Sequence, residues 1–329
     1  MTEDIGEFDL ISRYLKPLVA LPGALALTDD AATIKVPASK QLIMSKDVLV
    51  GNVHFFENDL PDLIARKALR TNISDIIAKG AHPYCYALGL CFPGQASEDF
   101  IASFAEGLAA DQDIYGVSLI GGDTTRSISD LMISVTMFGL AGKRGAVTRL
   151  GAGPGEAVYV SGTLGGSAVG LQTLLDRPRF EGLSEVLVSD LQSEYLLPQP
   201  PFGLQKMIAA HASASMDISD GLFQDAGHLA RASEVTIIIE QEQIPMSTAL
   251  QLALESDPDL LETALKGGDD YQCLMTIPPD HQALFESDCA DAGIMVSLIG
   301  KTIARARLPV MLRHHGEVVE NLPTGYTHF

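Results

Sequence analysis

Hydrophobic and polar positions alternate between strand-like and helix-like spacing along the first half of the chain. Phe8, Ile11 and Leu15 share one face of a helix predicted over residues 6–16, and Pro61 and Gly80 delimit another over 61–79. A third helix is predicted over 98–112. The predicted strands of this half span 31–36, 41–50, 83–92, 117–121 and 131–140.

A segment rich in Gly and Pro and poor in apolar residues, residues 142–156, predicts a domain boundary that divides the chain into 1–145 and 146–329. The second half again mixes the two spacings, and the C-terminal LPTGYTHF is predicted to be irregular. Predicted strands span 157–162, 213–219, 235–240, 271–278 and 295–300, with helices from about 164, over 182–196, over 220–233 and near 281–291. The pattern therefore predicts an α+β protein of two mixed α/β domains.

Composition and charge narrow the function classes. Hydrophobic residues make up 47% and charged residues 19%, which is typical of globular proteins. A formal net charge of −20, from 42 acidic and 22 basic side chains, argues against a nucleic-acid partner. If the ligand is a polyanion, bound divalent cations are the obvious source of compensating positive charge.

The four cysteines are scattered without a CxxC pair, so we expect buried free thiols in a reducing compartment. The N-terminus, MTEDIGEFDLISRYL, lacks the pattern of a signal peptide, and no run approaches the ~20 apolar residues of a membrane span. These features lead us to expect a cytoplasmic protein without a membrane partner.

Aspartates recur beside apolar runs, where a short carboxylate competes for backbone hydrogen bonds. Any one of them is readily explained as a helix cap or an Asx-turn. As a set, in a chain with no GxxxxGK[ST] motif, they favour hard divalent cations as the main phosphate clamp. These residues are Asp29, Asp30, Asp47, Asp75, Asp123, Asp217, Asp220, Asp269 and Asp270.

Three further features leave a structural reading open beside the functional one. Arg149 could grip a phosphate through its guanidinium or be a solvated surface residue. His54 could be functional or structural. The glycine-rich turn at 162–166 could offer backbone N–H groups to phosphate or be only a tight turn before a helix.

The order of the motifs resembles that of the thiamine-monophosphate kinases over essentially the entire chain. The broader group includes aminoimidazole ribonucleotide synthetase and selenophosphate synthetase, and VHF, NISD, GGDTT and DISDGL point to the thiamine-monophosphate kinase branch. The motifs in chain order are GEFDLISRY, TDDAA, KDVLVGNVHF, KALRTNISDIIAKGAHP, LIGGDTTRS, TRLGAGPGEAVYVSGTLGGSAVGL, SASMDISDGLFQDAGHL, GGDDYQCLMT and GYTHF.

The resemblance implies direct in-line transfer of the γ-phosphoryl group of ATP to thiamine monophosphate with several Mg²⁺ ions, giving thiamine diphosphate and ADP without a covalent nucleophile. It also implies a homodimer whose N-terminal domains pair into a β-barrel beside the ATP and Mg²⁺ sites, while the C-terminal α/β domain completes the active site. Gly122, Arg149 and Ser219 correspond to ATP contacts, and His54 and Asp269 to contacts with thiamine monophosphate. The corresponding metal ligands are Asp30, Ser45, Asp47, Asp75, Asp123, Asp217 and Asp220.

Several positions depart from the family pattern. Lys46 stands where a hydroxyl residue is expected, and its ammonium either points away from the metals or replaces the charge of one. GGDDYQ replaces GGEDYE, which shortens the acid at Asp269. Leu197 and Pro201 replace two arginines, and Thr324 replaces an aromatic residue for which Tyr326 is a candidate substitute.

Two other functions stay open at this stage. A divergent relative would keep the ATP chemistry and phosphorylate another small molecule, as the changes around the acceptor suggest. A nucleotide-binding dimer without catalysis would act through partner contacts, although retaining so many uncompensated carboxylates argues against it.

Overall fold

The first compact unit carries a four-stranded mixed sheet. A computed structural model of the chain describes residues 6–94 and 97–319, and this unit comprises the chain up to Ile76 together with Ala81–Gly145. Its strands are β1 (Gln41–Val50), β2 (His82–Pro93), β3 (Ser118–Ser127) and β4 (Met132–Ala141). The strand order is β1-β4-β2-β3, with β2 and β3 parallel and the other pairs antiparallel.

Three α-helices precede or follow these strands: α1 (Glu7–Leu10), α2 (Pro61–Ala78) and α3 (Glu98–Tyr115). The predicted N-terminal helix is confirmed, although π-helical and 3-10 turns carry it on from α1 to Leu18. Helix α3 begins at the Ser97 cap, whose side chain accepts the Phe100 N–H, and ends at Gly116 in the left-handed conformation.

Helix α2 is buried along most of its length because it covers one face of the sheet. Alternate residues of β4, among them Val135 and Met137, are buried on this face, and Gly139 lies against Ile76 of α2. The antiparallel register places Asp47 opposite Val135. Side chains at odd positions of β1 therefore point toward α2, and those at even positions point to the opposite face.

An ion-pair cluster attaches α2 to α3. The fully buried guanidinium of Arg70 donates to both carboxylate oxygens of Asp111 at 2.7 and 2.9 Å, and Arg66 donates to the same carboxylate at 3.0 Å. The Arg70 guanidinium also lies 5.5 Å from the centre of the Tyr115 ring. A buried charge pair with this many hydrogen bonds fixes the orientation of α2 relative to α3.

The second unit, 77–80 and 146–329, contains a seven-stranded mixed sheet in the order β11-β10-β7-β9-β5-β8-β6. Its strands are β5 (Ala157–Ser161), β6 (Ala214–Ile218), β7 (Val235–Glu240), β8 (Gln272–Ile277), β9 (Val296–Ala304), β10 (Val310–His314) and β11 (Glu317–Val318). Its helices are α4 (Gly166–Leu175), α5 (Glu185–Leu196), α6 (Gln205–His211), α7 (Leu222–Ser233), α8 (Thr248–Ser256), α9 (Leu260–Lys266) and α10 (Gln282–Asp291).

The direction of the strands in this sheet places the loops with candidate functional residues at the same end of the sheet. Strands β5, β6, β7 and β10 run in the same direction, whereas β8 and β9 run opposite to them. The loops after β5 and β6 and the loop before β8 therefore lie at the same end of the sheet. The apolar residues of β5–β10 and α7 form the core next to them.

The predicted α+β class with two mixed sheets is confirmed, but one predicted strand is wrong. Residues 31–36 form no strand and are exposed or half-buried, so Asp29 and Asp30 do not precede one. Strand β3 runs on to Ser127, which places Asp123 inside the strand rather than at its end. Helices α6, α8 and α9 and strands β10 and β11 were not predicted.

All four cysteines have free thiols, and three of them are buried, as predicted. Among the helices of the described residues, none combines the length and apolarity needed to cross a membrane.

Candidate active site

Three predicted metal ligands of the first unit lie together under α2. Ser45 and Asp47 project from β1 toward α2, and the Ser45 hydroxyl donates to the Asp75 carboxylate. The Asn72 side chain, one turn before Asp75, accepts the Asp47 N–H at 3.1 Å. Because β1 is an edge strand, this bond satisfies a backbone donor for which no neighbouring strand is available.

The electrostatics of this cluster favour a cation. Partial burial and the nearby negative charge of Asp75 raise the pKa of Asp47 to about 6, and Lys46 offsets only part of this rise. Oxygen atoms from two carboxylates and a hydroxyl are the ligands that Mg²⁺ prefers. The Ser45–Asp47–Asp75 cluster therefore fits a hard divalent cation.

Lys46 points away from this cluster. Its Nζ donates to the Ser134 hydroxyl at 2.5 Å and lies 3.5 Å from Thr136 Oγ1, on the opposite face of the sheet. The ammonium of Lys46 therefore lies on the face of the sheet opposite the Ser45–Asp47–Asp75 cluster.

The other predicted residues of the first unit occupy different positions. Asp30 is exposed in the irregular stretch before β1. Gly122 and Asp123 lie on β3, at the sheet edge opposite β1, so three strand spacings of roughly 14 Å in total separate Asp123 from Asp47 along the sheet. A Cβ at Gly122 would lie 1.9 Å from the Leu88 carbonyl oxygen, so the close approach of β3 to β2 requires glycine there.

His54 lies in a tight turn after β1. The ring Nδ1 of His54 accepts the backbone N–H of Val50 at 3.0 Å. The backbone N–H of His54 donates to the Val50 carbonyl at 2.9 Å. In the neutral imidazole this arrangement assigns the ring proton to Nε2. The half-buried ring is therefore held as a hydrogen-bond donor through Nε2.

The turn after β6 carries the predicted residues Asp217, Ser219 and Asp220. Asp217 is buried at the end of the strand, whereas Ser219 and Asp220 are half-buried. One oxygen of Asp225, in the first turn of α7, accepts the N–H groups of both Ser219 and Asp220 at 3.0 Å. Asp225 thus holds this turn in place.

Sequence reasoning missed Asp225. Burial, followed by repulsion from Asp220, raises the pKa of Asp225 to about 7, while the two backbone bonds and the charge of Arg149 oppose the rise. An acidic residue in the first turn of a helix, five residues after an Asp in a strand-to-helix turn, was the available signal.

Arg149 lies beside the same turn. Burial, then the charge of Arg231 and then that of Arg149 lower the pKa of His228, and the Arg149 charge also opposes the rise in the pKa of Asp225. The Arg149 carbonyl accepts the Ser233 hydroxyl at 2.8 Å, which fixes its backbone against the end of α7. Its exposed side chain supplies positive charge next to Asp220 and Asp225.

Asp269, which is predicted to contact thiamine monophosphate, is joined to the turn that contains Ser219 by a backbone hydrogen bond. The Asp269 N–H donates to the Ser219 carbonyl at 2.9 Å, and the Tyr271 N–H donates to the Ile218 carbonyl at 2.8 Å. A Cβ at Gly268 would lie 2.0 Å from the Ser219 carbonyl oxygen, so glycine permits this close approach. Asp269 itself adopts a left-handed conformation, with φ of 65°.

Asp270 anchors the glycine-rich loop after β5 to the same place. Both of its carboxylate oxygens accept the Gly165 N–H at 3.0 Å, and burial raises the Asp270 pKa to about 8. Hydrogen bonds thereby connect three loops at one end of the sheet, 162–166, 217–221 and 267–271. Among their side chains are the half-buried carboxylates of Asp220 and Asp269 and the half-buried hydroxyl of Ser219.

Comparison with known proteins agrees with the fold. The model of the AIR synthase related protein N-terminal domain matches residues 28–141, and that of the C-terminal domain matches 153–313. The two matches cover most of the chain, which is therefore an AIR synthase related protein.

Similarity to individual proteins identifies the family within this larger group. The thiamine-monophosphate kinase of Caulobacter vibrioides is 37% identical over 303 residues, covering 90% of this chain and 84% of the relative, and that of Haemophilus influenzae is 34% identical, covering 99% and 98%. The structure of AaThiL complexed with AMPPCP and TMP has a TM-score of 0.77 and 33% identity, covering 98% of this chain and 97% of that one. This chain belongs to the thiamine-monophosphate kinase family, as its motifs predicted.

Replacing Asp47 by Asn is expected to stabilise the metal-free protein at neutral pH. Because its pKa in the folded state, about 6, exceeds the ordinary aspartate value of 3.8, the native state binds the proton more tightly, and stability falls as pH rises from about 4 to about 6. Asp47→Asn removes this penalty, so the free energy of unfolding at pH 7.5 with a chelator should rise by about 1–3 kcal/mol in urea titrations.

At pH 4 the same variant should gain nothing, because Asp47 is then largely protonated in the folded protein. Asp113→Asn, which removes an exposed carboxylate on α3, is the matched control and should change stability by less than about 0.5 kcal/mol. Equal stability of wild type and Asp47→Asn at pH 7.5 would contradict the crowding of Asp47 and Asp75.

Asp225 offers a second test, specific to the turn after β6. Asp225→Ala removes the acceptor of the Ser219 and Asp220 N–H groups, so amide hydrogen exchange in peptides covering 217–221 should accelerate about tenfold or more. Asp225→Asn keeps an oxygen that can accept both bonds and should exchange like wild type. Unchanged exchange in the alanine variant would show that Asp225 does not hold the turn.

Proposed function

We propose that this protein is a thiamine-monophosphate kinase, which transfers the γ-phosphoryl group of ATP to thiamine monophosphate and yields thiamine diphosphate and ADP. The observation that carries the proposal is the Ser45–Asp47–Asp75 cluster, in a chain that aligns along almost its whole length with AaThiL, whose structure contains AMPPCP and TMP. The substrate assignment rests on these relatives, and the metal assignment rests on the cluster.

Mg²⁺ is the cofactor that best fits the donor set. Hard oxygen donors, without sulfur or imidazole, select Mg²⁺ over the softer transition metals. When bound, Mg²⁺ neutralises phosphate oxygens during phosphoryl transfer. We assign the metal ligands as Asp30, Ser45, Asp47, Asp75, Asp123, Asp217 and Asp220.

Gly122, Arg149 and Ser219 are the proposed ATP contacts. Arg149 supplies a guanidinium close to Asp225, as bidentate phosphate binding requires. The Ser219 hydroxyl lies in a turn fixed by Asp225, and Gly122 keeps the backbone of β3 free of a side chain. These contacts hold the nucleotide without forming a covalent bond to it.

His54 and Asp269 are the proposed contacts with thiamine monophosphate. A His54 ring protonated at Nε2 suits a phosphate oxygen. The backbone bond between Asp269 and Ser219 places a proposed acceptor residue next to a proposed nucleotide residue. Holding two phosphates in line in this way provides most of the catalysis, because the transition state is loose and highly charged.

A homodimer formed through the open face of the first sheet is part of the proposal. Met44, Val48 and Met132 are 63%, 41% and 37% exposed on the side opposite α2. Exposed apolar side chains grouped in this way, here beside Lys46, Ser134 and Thr136, often mark a protein interface. A second copy that covers this face, closing two four-stranded sheets into a barrel, agrees with the dimer that the family resemblance implies.

Four free thiols without a disulfide suit a reducing compartment, and we place the enzyme in the cytoplasm. An acidic chain of net charge −20 that acts on ATP and thiamine monophosphate needs no nucleic-acid or membrane partner.

A coupled assay tests the activity. Purified protein with ATP, Mg²⁺ and thiamine monophosphate should form ADP and thiamine diphosphate in equal amounts. Asp75→Asn should abolish both products while the protein stays folded, and Asp113→Asn should retain wild-type rates. ADP formation that depends on divalent cations but yields no thiamine diphosphate would redirect the search to another acceptor, and full activity of Asp75→Asn would refute the metal clamp.

Sedimentation or light scattering tests the dimer. The wild-type protein should have twice the 35.0 kDa mass of one chain, and Val48→Glu should shift it toward the monomer because a charge would be buried against the second copy. Ile114→Glu introduces the same charge at an exposed apolar position of α3 and should remain dimeric. A monomeric wild-type protein would contradict the proposal.

A further inference from the structure

Two adjacent histidines and a glutamate converge at the C-terminal ends of β7 and β10. His314 Nδ1 lies 2.9 Å and His315 Nδ1 lies 3.2 Å from the same oxygen, Glu242 Oε1. The backbone N–H of His315 donates to that oxygen at 2.6 Å. We propose that Glu242, His314 and His315 form a surface binding site for a divalent transition-metal ion of the zinc, nickel or copper class.

The backbone conformation that produces this convergence is uncommon. Consecutive residues of a strand normally point to opposite faces of the sheet. His315 instead has φ of 49°, and Gly316, which follows it in the hairpin between β10 and β11, has φ of 82°. Positive φ at both positions is typical of a tight two-residue hairpin turn, and it directs both imidazoles to the same side. The ring centroids are only 4.2 Å apart.

The three donors match the requirements of one ion. All three ligand atoms lie within 4.8 Å of one another. Two imidazole nitrogens and one carboxylate oxygen form a recognised zinc ligand set that leaves a coordination position for water or an external ligand. Imidazole also suits nickel and copper, whereas Mg²⁺ prefers oxygen ligands and would not be selected here.

The position of the site separates it from the proposed kinase chemistry. Glu242 lies in the short helical turn after β7, and the histidines lie at the end of β10, which is parallel to β7. Four strand spacings, roughly 19 Å, separate β7 from β6, the strand that leads to the Asp217–Asp220 turn. The histidine site is therefore a second metal site with a different metal preference.

The alternative to a metal site is that Glu242, His314 and His315 form a hydrogen-bonded cluster whose only role is to stabilise the hairpin between β10 and β11. In it, Glu242 accepts bonds from both imidazoles and from the His315 N–H, and this backbone bond is the main cause of a lowered Glu242 pKa. Such a group needs no metal and would bind none with a defined stoichiometry. Metal binding measured in the presence of Mg²⁺ distinguishes the two.

The test uses the full-length protein with saturating Mg²⁺, so that oxygen-lined sites are occupied before Zn²⁺ or Ni²⁺ is titrated in a calorimeter. We expect one high-affinity ion per chain, with about tenfold or greater weakening of Kd in each of His314→Ala, His315→Ala and Glu242→Gln. His82→Ala, which removes an exposed histidine of the first unit, should bind like wild type.

Cobalt provides a structural readout that does not depend on affinity. Co²⁺ added to the wild-type protein should give the visible absorption of a four- or five-coordinate ion, and His314→Ala should lose it while melting at the wild-type temperature. Absence of stoichiometric binding, or equal Kd values for wild type and the histidine variants, would overturn the assignment.

Discussion

Carboxylates held close together with partial loss of solvent impose the main constraint on this protein. Asp47 and Asp75 repel each other beneath α2, and the pKa of Asp47 rises to about 6 as a consequence. The Arg70–Asp111 pair ties the helix that carries Asp75 to α3. A site that is unfavourable when empty is well suited to bind divalent cations, because the cation removes the repulsion.

The second unit applies the same principle to its loops. Asp225 and Asp270 are buried carboxylates whose hydrogen bonds go mainly to backbone N–H groups, at Ser219, Asp220 and Gly165. Their raised pKa values, about 7 and about 8, record the desolvation that this anchoring requires. The loops that would receive a nucleotide phosphate are thus fixed before any ligand arrives, which lowers the entropic cost of binding.

Much of the architecture was accessible from the sequence because apolar periodicity records which face of an element is buried. Strand β1 and helix α2 were predicted almost to their ends. Residues 31–36 have the composition of a strand but are exposed or half-buried and pair with none, a tertiary fact that no local pattern contains. Helices α8 and α9 were missed although Ser247 caps α8 and both segments are rich in helix-forming residues.

For the candidate site too, some features are visible in the sequence and others only in the structure. The recurrence of aspartates beside apolar runs is visible in the sequence, and their shared role as metal ligands stays a prediction. Their grouping could not be predicted, because it depends on strand order: β1 carries Ser45 and Asp47 at one edge, and β3 carries Asp123 at the other. Asp225 was missed because its role depends on a bond back to the preceding turn.

Two departures from the family pattern have structural explanations. Lys46 is compatible with a metal site one residue away because alternation along β1 directs its ammonium to Ser134 on the other face. Gln272 replaces an acid and uses both ends of its amide: Oε1 accepts the Ser161 hydroxyl at 2.7 Å, and Nε2 donates to the Gln199 carbonyl at 2.9 Å. A carboxylate has no donor for Gln199. The glutamine thus ties the 197–203 segment, where Leu197 and Pro201 lie, to the start of β8.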